Sequence, residues 1–330
     1  MVISTGGRVD LHACGDPMWV DADALSLLVT DVGAMYYDIR AGRRSALDDE
    51  TDDGITQTPA STVIRQSAPA IRPELVVLRD ADRPHLHLYY PSIGAEAAYQ
   101  QLTTALPASW TVTACADADH ADSVEEMATW YLSALSGRFS QPDLLGGWSM
   151  GGLVGLEAAR RLSARDPGSR PNLVLVDSPP PGVTEAVPTQ QERLEEFAEF
   201  LWRSFGIGRF RPRQLDTSGE DQVGLSLLAQ ALRHAGEEVP VGWLAEWLTG
   251  YRRQRRLRAT YRCGKPVPAS GLLVVGELPD AHVEAWRRAL DGSLTVRRTG
   301  GEHFDLLRPP LVTDVARLLA SYYATCEAGS

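Results

Sequence analysis

From Pro73 onward, short apolar runs of strand type alternate with longer segments of helical period, and this alternation restricts the fold more than any other feature of the chain. Leu75–Leu78, Leu86–Tyr90, Trp110–Cys115, Leu144–Gly147 and Asn172–Asp177 read as strands. Glu96–Leu106, Ser123–Leu135 and Met150–Leu162 read as the helices among them. Asn172–Asp177 is almost continuously apolar, as expected of a strand covered on both faces of a parallel sheet. Strands joined through helices require right-handed crossovers, so the pattern predicts an α/β fold with a mostly parallel, doubly wound sheet. Between about Pro188 and Tyr261 the strands stop, and Glu192–Phe205, Asp221–His234 and Trp243–Tyr261 follow one another as amphipathic helical segments. An all-helical block inside an alternating chain is an insertion. The alternation then resumes with Gly271–Val275, His282–Leu290, Leu294–Arg298 and a closing helix at Leu311–Tyr323.

The first seventy residues do not share this pattern. Asp21–Ile39 has a helical period at Leu25, Leu28, Val32, Met35 and Tyr36, and Arg40–Ala70 is a polar stretch of linker type containing Asp48-Asp49-Glu50. The expected organisation is an extension over 1–70 and an α/β domain over 71–330, with the helical insertion at about 186–261. With 44% hydrophobic residues in 330, the chain can bury a large core. A formal charge of −11 argues against a nucleic-acid partner, because affinity for phosphate backbones comes mainly from Lys and Arg. Apolar runs such as Ala24–Thr30 are far shorter than the ~18 residues a membrane span needs, and no basic segment precedes an apolar one at the start. Cys14, Cys115, Cys263 and Cys326 are scattered without a C-x-x-C pair, which suggests neither a disulfide framework nor a zinc cluster. A cytoplasmic enzyme without a metal or bound cofactor is the expectation.

Gly147-Trp148-Ser149-Met150-Gly151 follows a strand and opens a helix. In that setting G-x-S-x-G is a nucleophile elbow: the tight turn exposes the Ser149 hydroxyl above the sheet and aims the next backbone N–H at the same point. A serine nucleophile needs a base. His303, in Gly300-Gly301-Glu302-His303-Phe304, lies between the last strand and the last helix, where that base is expected. Two residues compete to be the acid. Asp177 ends the apolar strand after the elbow, and Asp280 follows the later strand Gly271–Val275. Asp177 is preferred because a rigid element fixes it, whereas Asp280 sits in the looser Glu277-Leu278-Pro279-Asp280. Donors for an oxyanion are expected from the Met150 N–H and, in Pro91-Ser92-Ile93-Gly94 after an early strand, from the Ser92 N–H.

These residues resemble the thioesterase domains that end non-ribosomal peptide and polyketide assembly lines, members of the α/β-hydrolase superfamily. The likeness rests on Gly147-Trp148-Ser149-Met150-Gly151-Gly152, on Leu173-Val174-Leu175-Val176-Asp177-Ser178-Pro179-Pro180 and on Gly301-Glu302-His303-Phe304-Asp305-Leu306-Leu307, and it runs from about Pro73 to Ala324. The acid placed early is similar to the release type; in editing thioesterases it usually follows the later strand, here Asp280. The resemblance implies a triad of Ser149, Asp177 and His303, a lid formed by the insertion, and an acyl chain delivered on the phosphopantetheine of an acyl or peptidyl carrier protein and released by hydrolysis or macrocyclisation. An editing enzyme that clears misprimed carriers and an acyltransferase using the same acyl-enzyme are alternatives. Tyr90-Pro91-Ser92-Ile93-Gly94 departs from the family's His-Pro and double glycine. The first seventy residues contain no recognisable carrier serine motif, and Asp122-Ser123-Val124, which resembles one, begins a helix inside the α/β pattern and reads as an N-cap, so the carrier is expected to act in trans. Arg252, Arg253, Arg255, Arg256, Arg258 and Arg262 form the one dense basic cluster. It reads either as a docking surface for an acidic carrier or as a solvated face paired with the acidic Glu192–Glu199.

Overall fold

Strands that are apolar at every position belong in the middle of a sheet with both faces covered, and the sheet is ordered accordingly. The computed structural model describes residues 2–5, 8–11, 74–89, 95–116, 121–135, 137–183, 196–201, 221–234 and 238–328. The chain divides into two units, Met1–Ala68 and Pro69–Ser330. In the first, β1 (Val2–Thr5) pairs antiparallel with β2 (Arg8–Leu11). The helix expected at Asp21–Ile39, the linker at Arg40–Ala70 and the expected oxyanion donor Ser92 lie outside the described residues.

The second unit holds β3 (Glu74–Arg79), β4 (His85–Tyr89), β5 (Thr111–Ala116), β6 (Leu144–Trp148), β7 (Asn172–Val176), β8 (Ser270–Val275) and β9 (Leu294–Arg298). They form one sheet in the order β3-β5-β4-β6-β7-β8-β9. Only the edge strand β3 runs antiparallel to its neighbour. The helices are α1 (Ala95–Ala105), α2 (Val124–Ala134), α3 (Met150–Arg165), α4 (Asp221–His234), α5 (Val241–Thr260), α6 (Asp280–Ala289) and α7 (Leu311–Ala328). This is the α/β-hydrolase arrangement.

Alternation along the central strands divides the core into two layers. Leu145, Leu173, Leu175, Leu273 and Val275 face α2, α3 and α6, while Leu144, Val174, Val176, Leu272 and Val274 face α1 and α7. Because a strand's side chains alternate, two apolar faces require a strand apolar throughout, as in Leu173-Val174-Leu175-Val176. β4 lies between β5 and β6, so the chain leaves it in one direction and returns on its other side. In open α/β sheets such a reversal opens a crevice at the carboxyl ends of the strands, and β6 delivers Ser149 there.

Between β7 and β8 the helical insertion contains helical residues 196–201, α4 and α5. It has its own apolar cluster, including Phe197, Leu201, Leu225, Leu228, Leu244 and Leu248. Its two ends meet: the Gly182 N–H donates to the Tyr261 carbonyl at 3.3 Å. The Tyr261 hydroxyl donates to Glu157 on α3 at 3.2 Å. Glu157 is buried, and a buried carboxylate is tolerable only when paired; Arg160 and Arg161 supply 2.5–2.8 Å ion pairs. Among the described residues, no helix is long and apolar enough to cross a membrane.

Candidate active site

The elbow is a crowded place, which explains its glycines. A side chain at Gly147 would come within 2.7 Å of both the Tyr89 carbonyl oxygen and the Tyr99 hydroxyl, and one at Gly151 would collide with the same carbonyl. The end of β4 therefore passes directly against the turn. Tyr99 on α1 ties the two together: its buried hydroxyl donates to the Tyr89 carbonyl at 2.7 Å and accepts from the Trp148 N–H at 3.0 Å.

Ser149 has φ 55° and ψ −126°. A non-glycine residue at positive φ costs roughly 1–3 kcal/mol and persists only where its surroundings fix it. Here the Ser149 N–H donates to the Val176 carbonyl at 2.9 Å, and its own carbonyl accepts from Gly152 at 3.2 Å. Although Ser149 stands at the N-cap of α3, its side chain makes no capping hydrogen bond, so the hydroxyl is not used in closing the helix. Met150 opens α3, and the first N–H groups of a helix have no intrahelical acceptor.

Asp177 follows β7 with φ 43°, its N–H donating to the Val274 carbonyl at 2.8 Å. One carboxylate oxygen accepts from the Gly276 N–H at 3.2 Å, and the other lies 2.7 Å from His303 Nδ1. The Asp177 side chain is 8% exposed. Asp280 differs in every respect: it begins α6, is 92% exposed and pairs with Arg298. The structure thus brings Asp177 and His303 together and leaves Asp280 at the surface.

The His303 ring is held by more than the carboxylate. The Trp148 indole stacks on it with centroids 4.7 Å apart, and Phe304 meets it edge-on at 5.1 Å. Trp148 Nε1 also donates to the His303 carbonyl at 3.1 Å. An imidazolium over an indole face gains roughly 0.5–1 kcal/mol, more when shielded from water. Sequence reasoning passed over Trp148, although it occupies the first variable position of the motif.

Ser149, Met150 and His303 line one cavity of about 330 Å³. Trp148, Phe200 and Phe304 form an apolar wall, and Tyr251, Gln254, Arg255 and Arg258 of α5 come from a single helical stripe. Glu196 and Glu199 complete the polar side. The basic cluster of α5 is thereby divided. Arg255 and Arg258 line the cavity, Arg253 donates to the Ala121 carbonyl, and Arg256 and Arg262 are exposed.

The family model described as "Thioesterase domain" matches residues 84–322. Among curated proteins, an orsellinic acid synthase of Armillaria mellea is 41% identical over 96 residues, 28% of this chain and 4% of that protein. A non-reducing polyketide synthase of Cladonia grayi is 31% identical over 146 residues, 41% of this chain and 7% of that protein. The chain therefore corresponds to a small part of the curated relatives it matches. Among solved structures, a four-domain nonribosomal peptide synthetase bound to AMP and glycine aligns with a TM-score of 0.65 and 23% identity, over 78% of this chain and 21% of that one. The Vlm2 thioesterase domain aligns with a TM-score of 0.53 and 20% identity, over 76% of this chain and 98% of that one. These two likenesses concern the fold.

Proposed function

Because the chain belongs to the thioesterase domain family, we propose that it releases an acyl chain held as a thioester on the phosphopantetheine arm of a carrier protein, using Ser149, His303 and Asp177 as a catalytic triad. The observation that carries this reading is the 2.7 Å contact between His303 Nδ1 and the buried Asp177 carboxylate, in a cavity that His303 shares with Ser149. With Nδ1 donating to Asp177, Nε2 is the nitrogen left to accept the serine proton.

Ser149 Oγ attacks the thioester carbonyl as its proton passes to His303 Nε2. The Met150 N–H, with Ser92 as a second donor, stabilises the oxyanion. Collapse breaks the C–S bond, and the imidazolium returns its proton to the departing thiolate. Water, or a hydroxyl or amine of the acyl chain, then resolves the ester by the same proton transfers in reverse. The helical insertion acts as a lid that excludes bulk water from the ester. The reaction draws on the chain's own side chains, and the pantetheine belongs to the carrier. The carrier is taken to meet this domain in trans, and the exposed Arg256 and Arg262 suit its acidic surface.

Intact-mass spectrometry after mixing with acyl-loaded carrier tests the route. A covalent acyl adduct should form on the native protein and be absent from Ser149→Ala, and the mass of the released product separates free acid, ring and transfer product. Undiminished acylation of Ser149→Ala would remove this serine from the reaction.

A further inference from the structure

The cavity's lid side is unusual for a surface meant to hold an acyl chain. Tyr251, Gln254, Arg255 and Arg258 are spaced so that one face of α5 points into it, and two of the four are guanidinium groups. A purely aliphatic occupant would lay hydrocarbon against two guanidinium groups and the Glu196 and Glu199 carboxylates beside them, at a desolvation cost. Arg255 donates to the Glu196 carboxylate, and the two partners are unequally buried: the Arg255 side chain is 18% exposed and that of Glu196 is 43% exposed. The cation is therefore fixed within the wall, while the carboxylate stands nearer solvent and can leave more easily.

We propose that Arg255 and Arg258 form a specificity site for an acyl chain bearing a carboxylate at its distal end, and that Glu196 occupies that site as an internal surrogate. When such a chain is esterified to Ser149, Glu196 turns to solvent and the substrate carboxylate takes its place on Arg255. The local charge stays balanced, with Arg255 and Arg258 facing Glu199 and the incoming carboxylate. The apolar wall of Trp148, Phe200 and Phe304 takes the methylene or ring portion between the two ends. A volume of about 330 Å³ is near the lower limit of ordinary ligand cavities, which suits a short chain. This specificity rests on the proposed role of Ser149 for its orientation, but its binding component can be measured separately.

The test compares N-acetylcysteamine thioesters of the adipoyl group and of 6-methylheptanoyl, in which an isopropyl group replaces the carboxylate. The native protein should favour adipoyl in kcat/KM by roughly tenfold or more, the range of one charge-assisted hydrogen bond. Arg255→Gln and Arg258→Gln should each lower that ratio by roughly tenfold. Glu196→Gln should raise it severalfold by removing the competitor, whereas a merely structural ion pair predicts no such gain. A native ratio at or below one, or a ratio lowered by Glu196→Gln, overturns the proposal. Calorimetric binding of the corresponding non-hydrolysable amides separates the two readings. Preference in binding without turnover of either thioester sinks the thioesterase mechanism alone, and turnover without preference sinks the specificity site alone.

Discussion

At the sheet rim, hydrogen bonds with the backbone set the positions of two of the chemical groups: Ser149 through the Val176 carbonyl, and Asp177 through the Val274 carbonyl and the Gly276 N–H. In the helical insertion, the cavity-facing groups are the ends of long side chains on α5, and the helix itself rests on a separate small core and on contacts at its root. The rim is built for accuracy and the insertion for variety. Proton transfer needs geometry fixed within fractions of an ångström, which strand ends provide, whereas side chains along a helix face can be exchanged without moving the groups at the rim.

The comparison is broken most decisively if rim and surface carboxylates prove interchangeable. Asp177→Asn should lower kcat on any thioester by about 10⁴-fold, because the imidazole loses the partner that fixes its tautomer. Asp280→Asn should stay near the native value, since it removes only an exposed ion pair with Arg298. Steady-state rates of the two variants, measured side by side, decide between them.

Acid provides a second contrast. Burial pushes His87 down to about 3 and His85 to about 4, and both ring systems share the Thr113 hydroxyl at 2.7–2.8 Å. In the unfolded chain these groups take up protons below about pH 6.5, so the unfolded state binds more protons than the native one in the window below that value. The stabilisation these two histidines lend is therefore fully present above about pH 6.5 and is lost as pH drops towards 4 and 3, by at most about 1.4 kcal/mol per pH unit for each. Urea midpoints across this range should show the decline, and His87→Asn, which retains a partner for Thr113 but cannot titrate, should make it shallower. An unchanged slope would remove His87 from the acid response.

The smallest expected effect lies on the outer face of α5. Reversing charge at Arg256 and Arg262 should raise the KM ratio of carrier-bound to small thioester severalfold, and a constant ratio would reject docking there. This sharpens the division between the arginines that line the cavity and those that face solvent.

The strand ends were legible from sequence because their constraints are local. The apolar run Leu173–Val176 announces a strand covered on both sides, and a serine between glycines at the start of a helix announces a turn. Position between the last strand and the last helix was then enough to suggest His303, and the rigid strand that Asp177 ends was the reason to favour it over Asp280. The supports of these groups were not legible. Tyr99 reaches Trp148 across 49 positions and Trp148 reaches the His303 carbonyl across 155, and no periodicity carries such pairings. Nor did the cluster of arginines reveal which would face the cavity. That depends on how α5 is rotated about its axis, which Leu244, Leu248 and Leu257 decide by burying themselves.

The junction at Gly182 and Tyr261 has an evolutionary corollary. An excursion that departs and rejoins at a single point is, to the sheet, no longer than a tight loop, however many residues it contains. Segments of quite different length and chemistry could be spliced between these positions while the strands on either side kept their register. Diversification of substrate range within such a scaffold would therefore be expected to proceed by replacing that cassette wholesale.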